Sequence, residues 1–250
     1  MIRRFLPILI VSGLYLTANA TMIIRGSGGE AGSPCPSFYN ATDVVFSWDG
    51  DHTSGTNYGC DSAGTGVAGT NSSLTISTDY GESGSNAAHY TDSGQYLEWS
   101  QTGDQYVDDV GPQTIWMRVY ASALPTSDVV FFESVYNTSN YVQIKVNTAE
   151  PEFTGYYRAA GVIKGAAGNS VTAAWVDIAY SWDKTNQDHS FYNGSTWEDD
   201  NNELLDDMAG DFTAITIGHH TTSSNNFDGG KYINIEQFAI MDGYKTGVPW

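Results

Sequence analysis

Residues 114–121 read Thr-Ile-Trp-Met-Arg-Val-Tyr-Ala. In an extended chain successive side chains point to opposite faces. Ile115, Met117 and Val119 therefore share one face, and Thr114, Trp116, Arg118 and Tyr120 share the other. The pattern returns at 141–146, with Val142, Ile144 and Val146 opposite Tyr141, Gln143 and Lys145. It returns again at 175–182, with Val176, Ile178, Tyr180 and Trp182 opposite Trp175, Asp177 and Ala179. Strands with one aliphatic face belong to antiparallel sheets packed on one side. These three stretches predict an all-β fold, a two-sheet antiparallel β-sandwich.

Working outward, short runs rich in Val, Ile, Thr, Tyr, Phe and Trp recur between Gly, Asn, Ser and Asp turns. Beyond the three above, strands are predicted at 44–48, 73–78, 96–100, 129–136, 155–158, 162–164, 189–192, 214–218 and 233–241. Such spacing argues a sandwich or barrel and not alternating βα units. Residues 203–208 give the only plausible helical turn. The Gly/Ser/Thr/Asn-rich stretch 49–72 is predicted to be a tethered surface loop. No period of 20–50 residues recurs, which excludes repeat architectures.

The first 20 residues combine Arg3 and Arg4, an apolar run from Phe5 to Leu16, and Ala18-Asn19-Ala20. This is the layout of a secretory leader, cleaved after Ala20. Residues 21–43 are then an extension, and 44–250 one domain. The chain carries 10 basic and 29 acidic residues, a net charge of −19. That polyanion disfavours nucleic acid as a partner and favours cations. Its aromatic content, 16 Tyr, 10 Phe and 7 Trp, excludes a disordered acidic chain. Cys35 and Cys60 are the only cysteines; in a secreted protein two cysteines are expected to pair.

In their order along the chain, several of these runs resemble the laminin-G-like, concanavalin A-like jelly-roll family. Residues 44–51, with Trp48-Asp49-Gly50-Asp51, resemble its opening strand, and 114–120 its first core strand. Residues 140–147 resemble the strand after the hairpin. Residues 175–183 resemble the strand that holds a Trp at each end and closes on Trp-Asp, and Phe191-Tyr192-Asn193-Gly194 resembles the hairpin that follows. Residues 215–218 and 233–240 resemble the last two strands. The likeness covers most of 44–244. It departs at Glu236, where the family has Asp, and in the long loop after Asp51. Independently, Asn193-Gly194 is a two-residue hairpin signal, and Trp182 and Tyr192 are expected between the sheets.

The resemblance implies a jelly roll that takes glycans or proteins on loops or on a curved sheet face. It also implies calcium tying the opening strand's loop to the closing strand, with Asp49, Asp51 and Asp242 as ligands. The polar faces of the front strands supply the expected glycan site: Trp116, Arg118, Tyr120, Glu133, Tyr141, Gln143, Lys145, Trp175 and Asp177. Aromatic walls with a few polar groups suit sugar rings and hydroxyls. The competing reading packs Trp116 and Trp175 under loops, with Arg118–Glu133 or Lys145–Asp177 as cross-strand ion pairs. His189 is a candidate for the groove edge. His219-His220 point apart and do not make a metal site.

Catalysis finds less support. No strand carries the paired acids of the family's hydrolase branch. Gln143-Ile144-Lys145 resembles one element of its alginate-lyase branch, with Lys where that branch has His. The expected function is a secreted, extracellular or cell-surface, non-catalytic carbohydrate-binding or adhesion protein that is calcium-stabilised. Its partner is a polysaccharide or glycoconjugate, and the mature form has no membrane span. The alternatives are a self-assembling extracellular or virion structural protein, and a polysaccharide lyase or glycoside hydrolase of the same fold.

Overall fold

The computed structural model describes residues 43–51, 57–92, 94–122, 128–147, 152–170, 173–199, 205–218 and 231–244. Within these, the strands in chain order are β1 (Val44–Asp49), β2 (Asn57–Asp61), β3 (Gly66–Ala68), β4 (Thr70–Ser72), β5 (Thr75–Ser77), β6 (Ala87–Tyr90), β7 (Tyr96–Ser100), β8 (Gln113–Ala121), β9 (Val129–Asn137), β10 (Asn140–Asn147), β11 (Glu152–Ala159), β12 (Val162–Ser170), β13 (Trp175–Asp183), β14 (Asp188–Tyr192), β15 (Trp197–Asp199), β16 (Ala214–Ile217) and β17 (Ile233–Asp242). They form two antiparallel sheets. The first runs β15-β14-β13-β8-β17-β1-β2-β3, with β6 also on β17 and β5 on β6. The second runs β12-β11-β10-β9-β16-β7-β4.

The fold is the expected β-sandwich. Ile115, Met117, Val119, Ile178, Tyr180 and Trp182 of the first sheet pack against Val142, Ile144, Val146 and Ile215 of the second. On β9 a register shift opposite Ile144 and Lys145 lets consecutive residues, Phe131 and Phe132, both enter this core. Such a bulge puts two residues against one.

Every predicted strand is present, and most are longer than the sequence signal. Three expectations fail. Residues 49–72 hold β2, β3 and β4, whose polar chain is ordered by pairing with β1 and β7. Leu205 to Met208 is not helical: Leu205 and Met208 pack into the core from an irregular segment. Asn193-Gly194 also belongs to a four-residue loop, since Tyr192 pairs with Trp197. Asn193 Oδ1 there accepts the Ser195 and Thr196 N–H groups at 3.1 Å each. Cys60 is fully buried. Cys35, the leader and nearly all of 21–43 lie outside the described residues. Among the described residues no helix is long and apolar enough to cross a membrane.

Gly155 on β11 lies directly against the first sheet. A Cβ there would sit 2.1 Å from Tyr180 Cδ2, and that ring is fully buried and stacked on Trp182 at 5.8 Å. Neither ring has room to retreat. Gly155→Val is expected to cost about 3 kcal/mol, the upper end for overpacking, read as a lowered midpoint in urea unfolding.

Candidate functional site

The nine residues expected on one glycan face are divided between the two outer faces of the sandwich. Trp116, Arg118 and Tyr120 lie on β8, and Trp175 and Asp177 on its neighbour β13. Glu133 lies on β9, and Tyr141, Gln143 and Lys145 on β10. Alternation placed the eight on β8, β10 and β13 correctly as outward on their strands; it was not read for Glu133 on β9. It could not say that consecutive strands β8 and β9 belong to different sheets.

The outer face of the second sheet is internally paired. Gln143 Nε2 donates to Glu133 Oε1 at 3.1 Å, and both residues are buried. Arg158 lies 5.4 Å from the Tyr141 ring and donates to its hydroxyl at 3.4 Å. Lys145 pairs with Asp128 and stands 4.6 Å over the Tyr156 ring. The expected ion pairs are therefore replaced by Lys145–Asp128 and, on the other sheet, Arg118–Asp177.

The outer face of the first sheet has three zones. At one end Trp116 packs with Ala179, Tyr192, Ala239 and Met241 in a small apolar cluster. Trp116 is only 4% exposed, and Tyr192 sits here and not between the sheets. In the middle, a charged network holds down the strap 81–86. Arg118 Nη1 donates to Asp177 Oδ1 at 2.8 Å. Its Nε donates to Glu82 Oε2 at 3.1 Å, and Nη2 reaches the same oxygen. A bulge on β17 turns Glu236 toward the strap, where its carboxylate accepts the Ser85 hydroxyl at 2.6 Å and the Glu82 N–H at 3.2 Å. Asn86 N and Nδ2 both donate to Asp51 Oδ1, at 3.0 and 2.8 Å. Three carboxylates thus surround one guanidinium. Burial raises the Asp177 and Glu236 pKa values, although Arg118 opposes this at both and Ser85 opposes it at Glu236.

The third zone is a row of five half-buried rings. Trp175 lies 5.8 Å from Tyr120, Tyr120 6.0 Å from Tyr232, Tyr232 4.9 Å from His89, and His89 is stacked 3.7 Å on Tyr80. Strand register explains the row: Trp175 pairs with Tyr120, Tyr120 with Asn234, and Asn234 with His89. Asn234 fixes one end. Its Nδ2 donates to the Tyr80 carbonyl at 3.0 Å, so Oδ1, 2.7 Å from His89 Nδ1, is the acceptor. In the neutral imidazole this arrangement places the proton on Nδ1 and leaves Nε2 as an acceptor. Trp175 and Tyr120 were expected here. Tyr80, His89 and Tyr232 were missed, although alternation at 87–90 sets His89 opposite Ala88 and Tyr90. His189, the candidate for a groove edge, is fully buried, with Nδ1 3.3 Å from the Tyr180 hydroxyl.

The expected calcium ligands do not meet. Asp49 and Asp51 are neighbours, and Asp49 Oδ1 accepts the Asp51 N–H at 3.0 Å. Asp49 pairs with Gln237, however, so Asp242 stands about 16 Å further along β17 at 3.3 Å per residue. Among the described residues, the group of three acids whose carboxylates all lie within 4.8 Å of one another is Asp104, Asp108 and Asp109. Burial, then the charges of Asp109, Asp108 and Asp211, push Asp104 up to about 6. A raised carboxylate makes the folded state the better proton binder below that value, so stability rises as pH falls from 7 toward 5. The melting temperature is expected to climb over that interval, and Asp104→Asn to flatten the climb.

No protein-family model matches the chain, and no curated protein matches its sequence. Solved structures do match in fold. The receptor binding domain of botulinum neurotoxin mosaic serotype C/D aligns with a TM-score of 0.62 at 12% identity, covering 82% of this chain and 48% of that one. The binding domain of Paraclostridial Mosquitocidal Protein 1 aligns at 0.61 and 12%, covering 81% and 49%. The ligand binding domain of botulinum neurotoxin serotype D, solved in complex with N-acetylneuraminic acid, aligns at 0.60 and 10%, covering 82% and 48%. The chain spans about half the length of these domains. At such identities the likeness is one of fold.

Proposed function

We propose that this is a secreted, non-catalytic carbohydrate-binding protein of the laminin-G-like, concanavalin A-like kind, and that it takes its glycan on the ring row Trp175–Tyr120–Tyr232–His89–Tyr80. The observation that carries the reading is that row. Five aromatic groups lie half-buried and contiguous on an outer sheet face, where most proteins place Thr, Lys and Glu. Pyranose rings offer C–H faces that pack on aromatic π-systems, and the carboxylate of Asp177 and the free His89 Nε2 accept hydroxyl protons. The similarity to toxin binding domains, one of them solved with a sialic acid, supports the class of ligand. Calcium stabilisation belongs to the same reading, and Asp104, Asp108 and Asp109 are the acids grouped closely enough to share an ion among the described residues. The deciding experiment is a glycan array on the chain from Thr21 onward, followed by retention on the insoluble polymers that score. Binding to any glycan at micromolar strength supports the reading, and silence across sialylated, neutral and uronate glycans overturns it. Melting in calcium against chelator tests the ion; superimposable curves remove it.

A further inference from the structure

We propose that the free edge of the second sheet is a self-pairing surface, on which β12 of one copy adds antiparallel to β12 of another. Strand β12 terminates that sheet and, among the described residues, pairs only with β11. An unpaired strand edge is a template for another chain, and proteins blunt it with proline, charge or bulges. Here β12 contains no proline, its one charged residue is Lys164, and its register shift lies at the far end, opposite Glu152 and Thr154.

The near end is built to project. Ala160 and Gly161 form a two-residue turn with φ of 49° and 84°, the left-handed pair that matches strand twist. It is braced on the neighbouring hairpin. Gly161 N donates to Ser139 O at 2.9 Å and Ala160 N to Asn140 Oδ1 at 3.0 Å. Beyond the turn Val162 and Ile163 are each 46% exposed, two of the four exposed large hydrophobics among the described residues. At the other end the sandwich closes, since Gly168 lies against Phe191. The usable edge is therefore 162–167.

Charge selects a second copy as the occupant. With a net charge of −19, two copies repel wherever carboxylates face each other. No Asp or Glu occurs between Glu152 and Asp177, and that stretch carries Arg158 and Lys164. Strand β12 therefore brings no carboxylate of its own against its counterpart. Antiparallel strand pairing about a two-fold axis is self-complementary, as an isologous dimer requires. So short an edge falls in the weak, transient class of interface.

The test is sedimentation velocity on the full mature chain, from low micromolar to several hundred micromolar. The expected result is a monomer–dimer equilibrium. It should strengthen in about 1 M NaCl, where screening shortens the Debye length to about 3 Å and quiets the repulsion. Val162→Asp combined with Ile163→Asp should weaken dimerisation at least tenfold with an unchanged circular dichroism spectrum. Tyr136→Asp, on the adjacent hairpin, should leave it intact. A monomer at every concentration overturns the proposal, as does a dimer indifferent to the double substitution. A monomer that floats with phosphatidylcholine vesicles also overturns it, because the tip then seats in a bilayer. None of these outcomes bears on glycan binding.

Discussion

Arg118→Ala is expected to lower the unfolding free energy by about 3 kcal/mol at pH 7 and by clearly less at pH 5. The guanidinium side chain is 10% exposed and the Asp177 side chain 15%. Removing one partner of such a pair leaves an uncompensated charge, typically worth about 3–5 kcal/mol. The lower figure applies because Glu82 is 30% exposed and water screens part of its loss. The pH dependence follows from the groups left behind. Asp177 and Glu236 already have raised pKa values from burial. Without Arg118 these rise further, so the variant takes up protons on folding, and stability returns as pH falls through the raised values. Chemical denaturation at the two pH values reads the difference. A loss independent of pH would mean that Arg118 acts through packing alone. The same substitution should loosen the strap 81–86, seen as faster amide exchange at Glu82 and Ser85.

The largest functional effect is expected from Trp175→Ala combined with Tyr120→Ala. On any glycan that the protein retains, the double variant should bind at least tenfold more weakly, a loss of about 1.4 kcal/mol or more. The two rings are half-buried neighbours at one end of the row, 5.8 Å apart, so truncating them removes contact surface without opening the core. Trp116→Ala is the contrasting control. Its ring is 4% exposed and enclosed by Ala179, Tyr192, Ala239 and Met241. It should lower stability and leave affinity near that of the native chain. If Trp116→Ala abolishes retention while the double variant binds normally, the ligand sits at the other end of the face and the row is structural.

These two experiments separate what could be read from residues alone from what could not. Alternation along β8, β10 and β13 is legible because a strand buried on one side needs aliphatics at every second position. It yields the inward sets Ile115–Met117–Val119, Val142–Ile144–Val146 and Ile178–Tyr180–Trp182, and the sandwich follows. Alternation is silent on which sheet a strand joins, so Trp116 and Tyr141 could be taken for neighbours when they are on opposite sides of the molecule. Strands β2–β4 are hidden because they are short and carry Gly, Asn and Asp, which are disfavoured in strands; pairing of β2 with β1, β3 with β2 and β4 with β7 orders them. The ring row was half legible. Trp175 and Tyr120 stand on strong strands, but Tyr80 lies outside any strand, and His89 joins the row only because β6 pairs with β17. Asp242 was misplaced for the same reason: its end of the strand is fixed by register with β1, which no local pattern carries.

Strand β17 has a consequence for how the molecule is made. It lies between β8 and β1 and also receives β6, so the last of these strands in sequence order occupies the centre of the first sheet. During synthesis β8, β1 and β6, the strands that pair with it, each keep one edge uncovered until residues 233–242 leave the ribosome. Assembly is therefore a late, concerted event governed by contacts distant in sequence, a topology that folds slowly. A nascent polypeptide stalled before that point would present open edges to whatever chaperone or translocon holds it.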